Sequence, residues 1–502
     1  MAGVTPPAQG RRRQPGAVGG VVPRAATSWA DAAPGDQPGP AAAVETAAAG
    51  TVAVDEEVTQ PDGTLRVGQE LEVAVGDVAQ GGWCVARPDG LPVMFVRHTL
   101  PGERVLARVT EVTSKLARAD AVRILQASPD RVPAPCPSAR PGACGGCDWQ
   151  HASLPAQRAL KAAVITQQLR RLAGIDREVT VQPLPGDTPA SAGGGRPGLG
   201  WRTRVQFAVD PAGTAGLRAH RSHEVIDIGE CLIAHPAVTS LGITGDDWTG
   251  AAAVEVAVGG SAADENFAVT VVEESGRQQH GRTERNHGRR GAGGRLSRPK
   301  RTLVEGRPYL AEHAAGRLWQ VSADGFWQVH PAAAEVLTQA VLDALQPQAG
   351  DTVIDLYCGA GLFAGAVAAL TGPDGAVTGI ESDPAAVKNA RQNLVEYPWA
   401  AFRQADVVRA VAGADLPAAR LVIADPPRAG LAREVVEWLT ADRASGGSPA
   451  ERFAYVSCDP ATLARDLALL TAGGWGLADL RAFDAFPMTH HVECVVTLSR
   501  PV

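Results

Sequence analysis

Two hydrophobic periods divide the chain into regions. Between residues 67 and 125, apolar side chains occupy every second position in short runs such as LEVAVGDVA (71–79). Strict alternation is the pattern of strands that bury one face. About five such strands, separated by turns that contain glycine or proline, predict a small closed β-barrel over 63–127.

A longer alternation begins near residue 306. Apolar runs that end in polar residues, such as DTVIDLYCGAG, AARLVIADPP and RFAYVSCDP, alternate with helical patterns such as AAVKNARQNL. This order predicts an α/β domain over 306–502, in which helices cover both faces of a parallel sheet. Sheets of this kind bind ligands at the carboxyl ends of their strands. The polar residues at those ends are therefore the candidate functional residues.

The region between these domains, 128–305, predicts a mixed α+β domain. It contains a cysteine-rich stretch, a helical pattern over 154–175 and the strand pattern WRTRVQFAVD at 201–210. Basic residues on the helix and the strand either contact phosphate groups or form solvated faces. They are Arg158, Lys161, Arg170, Arg171, Arg202 and Arg204.

Two segments lack the apolar side chains that a core requires. Residues 1–62 are rich in Ala, Pro, Gly and Thr, which predicts a disordered tail. Residues 275–301 hold nine Lys and Arg against one Glu. This composition predicts a low-complexity insertion, which is either a solvated loop or an additional contact with RNA phosphates.

The composition argues against several classes of protein. Eight cysteines in 502 residues are too few for a secreted disulfide scaffold, so we expect a reducing, cytoplasmic environment. No apolar run approaches the ~20 residues needed to cross a bilayer, and we expect no membrane segment. A net charge of -7 disfavours a protein that coats nucleic acid with a uniformly basic surface.

A glycine turn follows the strand TVIDL. Gly359 and Gly361 allow the backbone to turn tightly before a helix, whose amino terminus favours a negatively charged ligand. Glu381 ends the next strand, where a carboxylate can accept hydrogen bonds from ribose hydroxyls. A dinucleotide site shares these features, but Asp355 within the strand, and Asp406 at the position for an adenine amino group, favour S-adenosylmethionine. An ordinary loop carboxylate is the other interpretation of Asp406.

Three further residues carry candidate chemistry. Asp425 precedes two prolines that fix its loop, and Cys458 follows a buried strand and precedes a helix. We expect the helix dipole and neighbouring groups to lower the pKa of the Cys458 thiol and so favour a nucleophile, although an inert core cysteine is an equal alternative. Glu493 lies among apolar residues, where burial raises the pKa of a carboxyl group and suits a general base. An ordinary ion pair is the other interpretation.

The motifs DLYCGAGLF, IADPPRAG, VSCDP and FPMTHHVE, in this order, closely resemble those of the RNA 5-methyluridine methyltransferases. The resemblance covers residues 66–502. It implies a Rossmann-like class I methyltransferase domain, an OB-like TRAM barrel that binds RNA, and Cys458 and Glu493 as nucleophile and base. The implied S-adenosylmethionine contacts are Gln328, Tyr357, Glu381, Asp406 and Asp425.

Four cysteines form a candidate metal site. Cys136, Cys144 and Cys147 have the spacing Cx7CxxC, and Cys231 lies eighty-four residues after Cys147. Four thiolates can hold zinc or a four-iron cluster. The segment CGGCDWQHAS resembles the iron-sulfur segment of the same family, which implies a structural [4Fe-4S] cluster in the central domain, with zinc as the alternative.

The resemblance also implies a reaction and a substrate. Cys458 adds to carbon 6 of uracil, carbon 5 accepts the methyl group, and the target base leaves its stack. The combination of barrel and cysteine cluster resembles the ribosomal-RNA branch, which implies 23S rRNA as the substrate, with tRNA as the alternative. Two other classes stay open: a non-catalytic RNA-binding protein, and a nicotinamide-dependent oxidoreductase, which leaves VSCDP and Glu493 unexplained.

Overall fold

The strands and helices are described from a computed structural model, which covers residues 65–187, 196–260, 266–273, 299–413, 416–441 and 446–500. The predicted tail over 1–62 and residues 275–298 of the predicted insertion lie outside these ranges. Leu65–Val502 forms one compact unit. None of the helices within the described ranges is both long and apolar enough to cross a membrane.

The described residues form a closed barrel, a six-stranded sheet, an eight-stranded sheet and a two-stranded hairpin. The strands are β1 (Glu70–Ala79), β2 (Trp83–Ala86), β3 (Met94–Arg97), β4 (Arg104–Val112), β5 (Ala117–Gln126), β6 (Val181–Pro183), β7 (Arg204–Val209), β8 (Ala215–Arg218), β9 (Val225–Ile226), β10 (Ala251–Val258), β11 (Phe267–Glu273), β12 (Arg301–Gly306), β13 (Tyr309–Ala314), β14 (Arg317–Ser322), β15 (Thr352–Leu356), β16 (Ala376–Glu381), β17 (Ala400–Gln404), β18 (Leu421–Ala424), β19 (Arg452–Ser457), β20 (Gly476–Asp484) and β21 (Glu493–Ser499). The α-helices are α1 (Leu154–Gln168), α2 (Pro236–Thr239), α3 (Ala333–Leu345), α4 (Leu362–Thr371), α5 (Pro384–Asn393), α6 (Val407–Ala412), α7 (Arg433–Thr440) and α8 (Pro460–Ala472).

The first five strands close into a barrel in the order β1-β2-β3-β5-β4. Along β1, the side chains at alternate positions are buried, as the period of two requires. Val73, Val75, Val96 and Val105 are among the apolar side chains that fill the interior. The predicted barrel is confirmed, and its core is explained by the alternation of apolar residues.

The largest sheet among the described residues has eight strands in the order β17-β16-β15-β18-β19-β21-β20-β6. The five strands from β15 to β19 pair with one another in parallel, and β21 is antiparallel to both β19 and β20. Successive residues point to opposite faces, so Val353 packs with α3 and α4, whereas Ile354 packs with α6, α7 and α8. The predicted α/β architecture is confirmed.

The central region contains a separate antiparallel sheet in the order β12-β11-β10-β7-β8-β9. Other parts of the predicted 128–305 domain join the eight-stranded sheet instead. Strand β6 pairs in parallel with β20, and Ile165 of α1 packs in the same apolar cluster as α8. Helix α1 and strand β6 of the central region therefore share a core with the α/β domain, whereas the antiparallel sheet has an apolar cluster of its own.

Helix α1 begins after Ser153, whose hydroxyl accepts a hydrogen bond from the Ala156 amide at 3.3 Å, as expected for a cap. It continues as one π-helical turn, Leu169–Ala173, and ends at Gly174 in a left-handed conformation. The solvated or phosphate-binding role predicted for Lys161 is wrong. Its side chain is fully buried and forms an ion pair with Asp484.

Candidate active site

The backbone turns sharply where β15 ends. Tyr357, Gly359 and Gly361 all have positive φ angles, of 64°, 53° and 90°. A side chain on Gly359 would meet no atom within 4 Å, so this glycine faces open space, whereas Gly361 packs against Ala390 and Leu394. The turn therefore exposes backbone at Gly359 to a ligand while Gly361 anchors the start of α4.

Glu381 lies against this turn. Its carboxylate accepts hydrogen bonds from the Gly359 amide at 3.2 Å and from the Asp383 amide at 2.8 Å. Asp355 lies beneath the turn and is buried. One of its carboxylate oxygens accepts a hydrogen bond from the Ala364 amide at 3.0 Å, and the other has no hydrogen-bond partner among the described residues. A buried polar atom without a partner fits a polar ligand at this edge of the sheet.

The remaining predicted cofactor contacts occupy different positions. Asp406 caps α6 by accepting a hydrogen bond from the Arg409 amide at 3.0 Å. Burial raises the pKa of Tyr357 to about 12, and the charge on Asp406 adds to this increase. The two side chains are therefore neighbours. Gln328 lies in the segment of chain that connects β14 to α3, and its side chain is buried. Within the described residues, no hydrogen bond or ion pair joins it to the other predicted cofactor contacts.

The predicted nucleophile and base lie on adjacent strands. Strands β19 and β21 pair with Ser457 opposite Cys494. Because this pairing is antiparallel, Cys458 follows β19 at the level where Glu493 begins β21. Glu493 is only 4% exposed. Burial is the main cause that raises the pKa of its carboxyl group well above its usual value, and the charge on Asp425 is the second.

Asp425 completes a pair of carboxyl groups. Burial raises its pKa to about 7. Two neighbouring carboxyl groups in a low-dielectric environment cannot both ionise easily, so each of them favours its protonated form. The predicted rise in the pKa of Glu493 is confirmed, and the structure adds Asp425 as one of its causes.

The predicted low pKa of Cys458 is wrong. Burial raises the pKa of this thiol to about 12, and the charges on Glu493, Asp425 and Asp459 contribute to the increase. Three nearby carboxyl groups and desolvation therefore outweigh the helix dipole, which falls off within the first turn. Cys458 is a thiol in the free protein, and a proton acceptor is required before it can act as a nucleophile.

Arg428 is a functional candidate that the sequence analysis missed. Its positive charge lowers the pKa of Cys458 and of Glu493, in opposition to burial. Its guanidinium lies 3.3 Å from the His491 ring, and its carbonyl accepts a hydrogen bond from Thr462 in α8 at 3.2 Å. The signal was available, because Arg428 directly follows the two prolines in IADPPRAG.

The four predicted metal-binding cysteines are brought together. After burial, the charge of a Cys136 thiolate raises the pKa of both Cys144 and Cys231, and charges on Cys144 and Cys231 raise the pKa of Cys147. The four side chains are therefore close to one another. The amide of Gly146 and the side chain of Gln150 donate hydrogen bonds to Cys144 and Cys147, at 3.4 and 3.2 Å.

Donors of this kind suit thiolate ligands, so the donor set fits an iron-sulfur cluster or zinc. Across the described ranges, however, no group of three or more His, Cys, Asp or Glu side chains has an arrangement that would already hold a metal ion.

A phosphate-binding role for Arg204 is excluded by its contacts. Its guanidinium is buried and donates hydrogen bonds to the carbonyl oxygens of Ala323 and Gly325 at 3.1 and 3.0 Å. It also pairs with Glu312 at 3.4 Å. Arg204 therefore holds the segment after β14 rather than a ligand.

Comparison with known proteins gives three family matches. The TRAM domain model matches residues 65–122, a methyltransferase domain model matches residues 347–412, and the tRNA (Uracil-5-)-methyltransferase model matches residues 401–501. The last of these ranges contains Asp425, Cys458 and Glu493.

Full-length relatives are also similar. A protein of Streptomyces avermitilis described as an uncharacterized RNA methyltransferase is 47% identical over 451 residues, which cover 86% of this chain and 98% of the relative. A relative in Bifidobacterium longum with the same description is 34% identical over 468 residues, which cover 88% of this chain and 98% of the relative. The fold is shared with Pyrococcus abyssi tRNA (uracil-54, C5)-methyltransferase in complex with S-adenosyl-L-homocysteine, at a TM-score of 0.59 and 22% identity, covering 85% of this chain and 100% of that one.

Proposed function

The chain belongs to the TRAM-containing RNA (uracil-5-) methyltransferase family, and on that premise we propose that it methylates a uridine through transient covalent attachment of the base to Cys458. It is an RNA uracil-C5 methyltransferase rather than the non-catalytic RNA-binding protein or the oxidoreductase that the sequence left open. The observation that supports covalent catalysis best is the β19–β21 pairing, which sets Cys458 beside Glu493.

The reaction needs a nucleophile because carbon 5 of uracil is itself a poor one. The Cys458 thiol first loses its proton to a neighbouring carboxylate, and its sulfur then forms a bond to carbon 6. Carbon 5 thereby gains electron density and attacks the methyl group of the donor, whose sulfonium sulfur would keep the electron pair of the broken sulfur–methyl bond and leave as a neutral thioether. Glu493 removes the proton from carbon 5, the bond between carbon 6 and sulfur breaks, and the Cys458 thiolate is released.

We assign the methyl donor, S-adenosyl-L-methionine, to the edge of the sheet at the Gly359 turn. It supplies an electrophilic methyl group on a sulfonium. The residues that would hold it are Gln328, Tyr357, Glu381, Asp406 and Asp425. Asp355 supports this assignment through its unpaired buried oxygen, and so does the open space at Gly359. Asp425 also acts on the base, because its charge raises the pKa of Glu493.

We propose that Cys136, Cys144, Cys147 and Cys231 hold a [4Fe-4S] cluster, with zinc as the alternative. The methyl transfer requires no electron, so the cluster would stabilise the central region rather than take part in the reaction. Iron and acid-labile sulfide should be present in stoichiometric amounts after anaerobic purification. Stoichiometric zinc without iron would overturn the iron-sulfur assignment.

We propose 23S rRNA as the substrate, met in the cytoplasm, because the barrel and the cysteine segment occur together. The tRNA alternative has support from the name of the family model that matches residues 401–501. Mass-spectrometric mapping of 5-methyluridine in rRNA and tRNA from a strain that lacks the gene decides between them. Loss of the modification from tRNA alone would exclude the ribosomal substrate.

Trapping of the covalent intermediate tests the mechanism. A fluorine at carbon 5 cannot be removed as a proton, so RNA that contains 5-fluorouridine should remain attached to the enzyme, and peptide mapping should identify Cys458 as the attached residue. The Cys458→Ala variant should form no adduct and no 5-methyluridine. A Cys458→Ala enzyme that retains full activity would refute covalent catalysis by this residue.

A further inference from the structure

The loop between β20 and β21, which leads to Glu493, contains a residue in an unfavourable backbone conformation. Met488 has a φ angle of 68°, in the left-handed region that non-glycine residues rarely adopt. Its carbonyl accepts hydrogen bonds from the Asp148 and Trp149 amides, both at 3.0 Å. Its amide donates to the Gln157 side chain at 2.7 Å. Surrounding residues thus maintain a conformation that the loop would not adopt alone.

Asp148 also binds this loop at a second position, nearer to Glu493 in the chain. Its carboxylate accepts hydrogen bonds from the His490 amide at 3.1 Å and from the His490 ring at 2.7 Å. His490 precedes Glu493 by three residues. The segment that follows Cys147 is therefore connected, through both backbone and side chain, to the loop that leads to the base.

A turn of the barrel reaches the loop that carries the nucleophile. The Gln80 side-chain amide donates a hydrogen bond to Asp459 at 2.9 Å. The second carboxylate oxygen of Asp459 caps α8 by accepting hydrogen bonds from the Ala461 and Thr462 amides, at 3.0 and 2.9 Å. Because Asp459 directly follows Cys458, Gln80 contacts the group that fixes the backbone beside the thiol.

The two sets of contacts meet at Gly82. A Cβ atom on this glycine would lie 3.1 Å from the His490 Cβ and 3.2 Å from the Asp148 Cβ, so the barrel turn is packed directly between these side chains. The Gly82 carbonyl also accepts a hydrogen bond from the Trp149 ring at 3.1 Å. The barrel turn and the Asp148–Trp149 segment therefore act as one structural unit on both catalytic loops.

We propose that this unit is a positioning clamp, in which Gln80 sets the position of Cys458 and Asp148 sets the position of Glu493. The inference rests on the proposed function, because it assigns the two residues to different steps of the covalent reaction. Loss of the Gln80 contact slows addition of sulfur to carbon 6. Loss of the Asp148 contacts slows removal of the carbon 5 proton, and so prolongs the adduct that has already formed.

The two steps can be measured separately with the full-length enzyme. The rate of adduct formation is measured with rRNA transcripts that contain 5-fluorouridine, and the persistence of adduct with ordinary rRNA from a strain that lacks the gene, both on denaturing gels. Gln80→Ala should slow formation by about tenfold to a hundredfold, in line with the cost of small misplacements in active sites. Asp148→Ala should form adduct at nearly the wild-type rate but accumulate it on ordinary RNA. The KM for RNA should change little in both variants while kcat falls.

Matched substitutions distinguish positioning from general damage. Gln69→Ala in the barrel and Asp130→Ala before the cysteine segment should leave both rates unchanged. Asp148→Asn should restore part of the rate at which the adduct on ordinary RNA breaks down, since its amide oxygen can still accept a hydrogen bond from the His490 amide. It also provides the test if Asp148→Ala does not fold.

Three further outcomes are informative. The clamp is refuted if both variants match the wild type, or if each slows formation and resolution equally. Absence of any adduct with the wild-type enzyme would instead contradict the proposed function.

Discussion

Asp425 and Glu493 flank Cys458, and the charge on Asp425 raises the pKa of Glu493. Asp425 follows β18, Cys458 follows β19, and Glu493 begins β21, which pairs with β19 on its other side. The thiol thus lies between these two carboxyl groups. The Asp425 carboxylate can receive the thiol proton before attack, which leaves Glu493 free to accept the carbon 5 proton later and accounts for a nucleophile whose pKa is high in the free enzyme.

Replacement of the base should arrest the reaction after methyl transfer. In Glu493→Gln, the amide has the size of the carboxyl group but cannot accept the carbon 5 proton. We expect turnover to fall by about 10²- to 10⁴-fold, with accumulation of an RNA adduct on ordinary uridine substrates. Denaturing gels and mass spectrometry of the attached peptide measure this. A Glu493→Gln enzyme that turns over normally without adduct would show that another group is the base.

Asp425 should cost stability at neutral pH. Burial raises its folded-state pKa from 3.8 to about 7, so the folded protein binds this proton more tightly than the unfolded chain does. The resulting stabilisation is present at low pH and is lost as the pH rises through about 7. Asp425→Asn removes the ionisation, and should therefore raise the melting temperature by a few degrees at pH 8 and by much less at pH 4, while activity falls.

Differential scanning calorimetry at both pH values tests this expectation, with the exposed Asp374→Asn as the control. Glu493 titrates together with Asp425, so the comparison is repeated in the Glu493→Gln background. An Asp425→Asn protein that is less stable than the wild type at pH 8 would indicate that the carboxylate is stabilised by contacts in the folded state.

The fold could be predicted from the sequence wherever one local period decides the environment of a residue. Alternation along 71–79 identifies the barrel strand, and the apolar runs before Tyr357, Asp425 and Cys458 identify strands whose ends converge. The pairing of β6 with β20 could not be predicted in this way. Val181–Pro183 is too short to show a period, and its partner lies about 300 residues away in the chain.

The site illustrates the same limit in its electrostatics. The sequence shows that Cys458 precedes a helix, and it does not show that Asp425 and Glu493 converge on the thiol from other strands. The pKa of Cys458 was therefore expected to fall, and the structure raises it to about 12. The prediction that Lys161 is solvated or binds phosphate was wrong for a related reason, since a helical pattern does not show which neighbouring element covers a basic residue.

The reactivity of Cys458 should follow its high pKa. Because the thiolate is the reactive form, alkylation by iodoacetamide at pH 8 should be slower than that of an ordinary exposed cysteine, and should rise about tenfold per pH unit. Arg428→Ala removes a charge that lowers the pKa of Cys458, so this variant should react several-fold more slowly. Mass spectrometry of the peptide that contains Cys458 separates its rate from those of the other cysteines.

The exposed Arg433, which pairs with Glu437 at 2.7 Å, provides the control for Arg428. Arg433→Ala should leave the alkylation rate unchanged, because this pair lies on the solvent side of α7. Rapid alkylation of Cys458 at pH 7 in the wild-type enzyme would contradict the high pKa and would favour a preformed thiolate.

Breaking the buried ion pair of Lys161 and Asp484 should strongly destabilise the protein. Lys161 is fully buried, and its ammonium group also donates a hydrogen bond to the Phe486 carbonyl at 3.0 Å. Lys161→Ala leaves the Asp484 carboxylate buried without its counterion, which should lower the free energy of unfolding by about 3–5 kcal/mol. The double variant Lys161→Met with Asp484→Leu removes both charges and should recover much of this loss, whereas Arg158→Ala on the same helix should change it little. Urea unfolding measures all three, and a Lys161→Ala protein within 1 kcal/mol of the wild type would show that water reaches the vacated site and solvates Asp484.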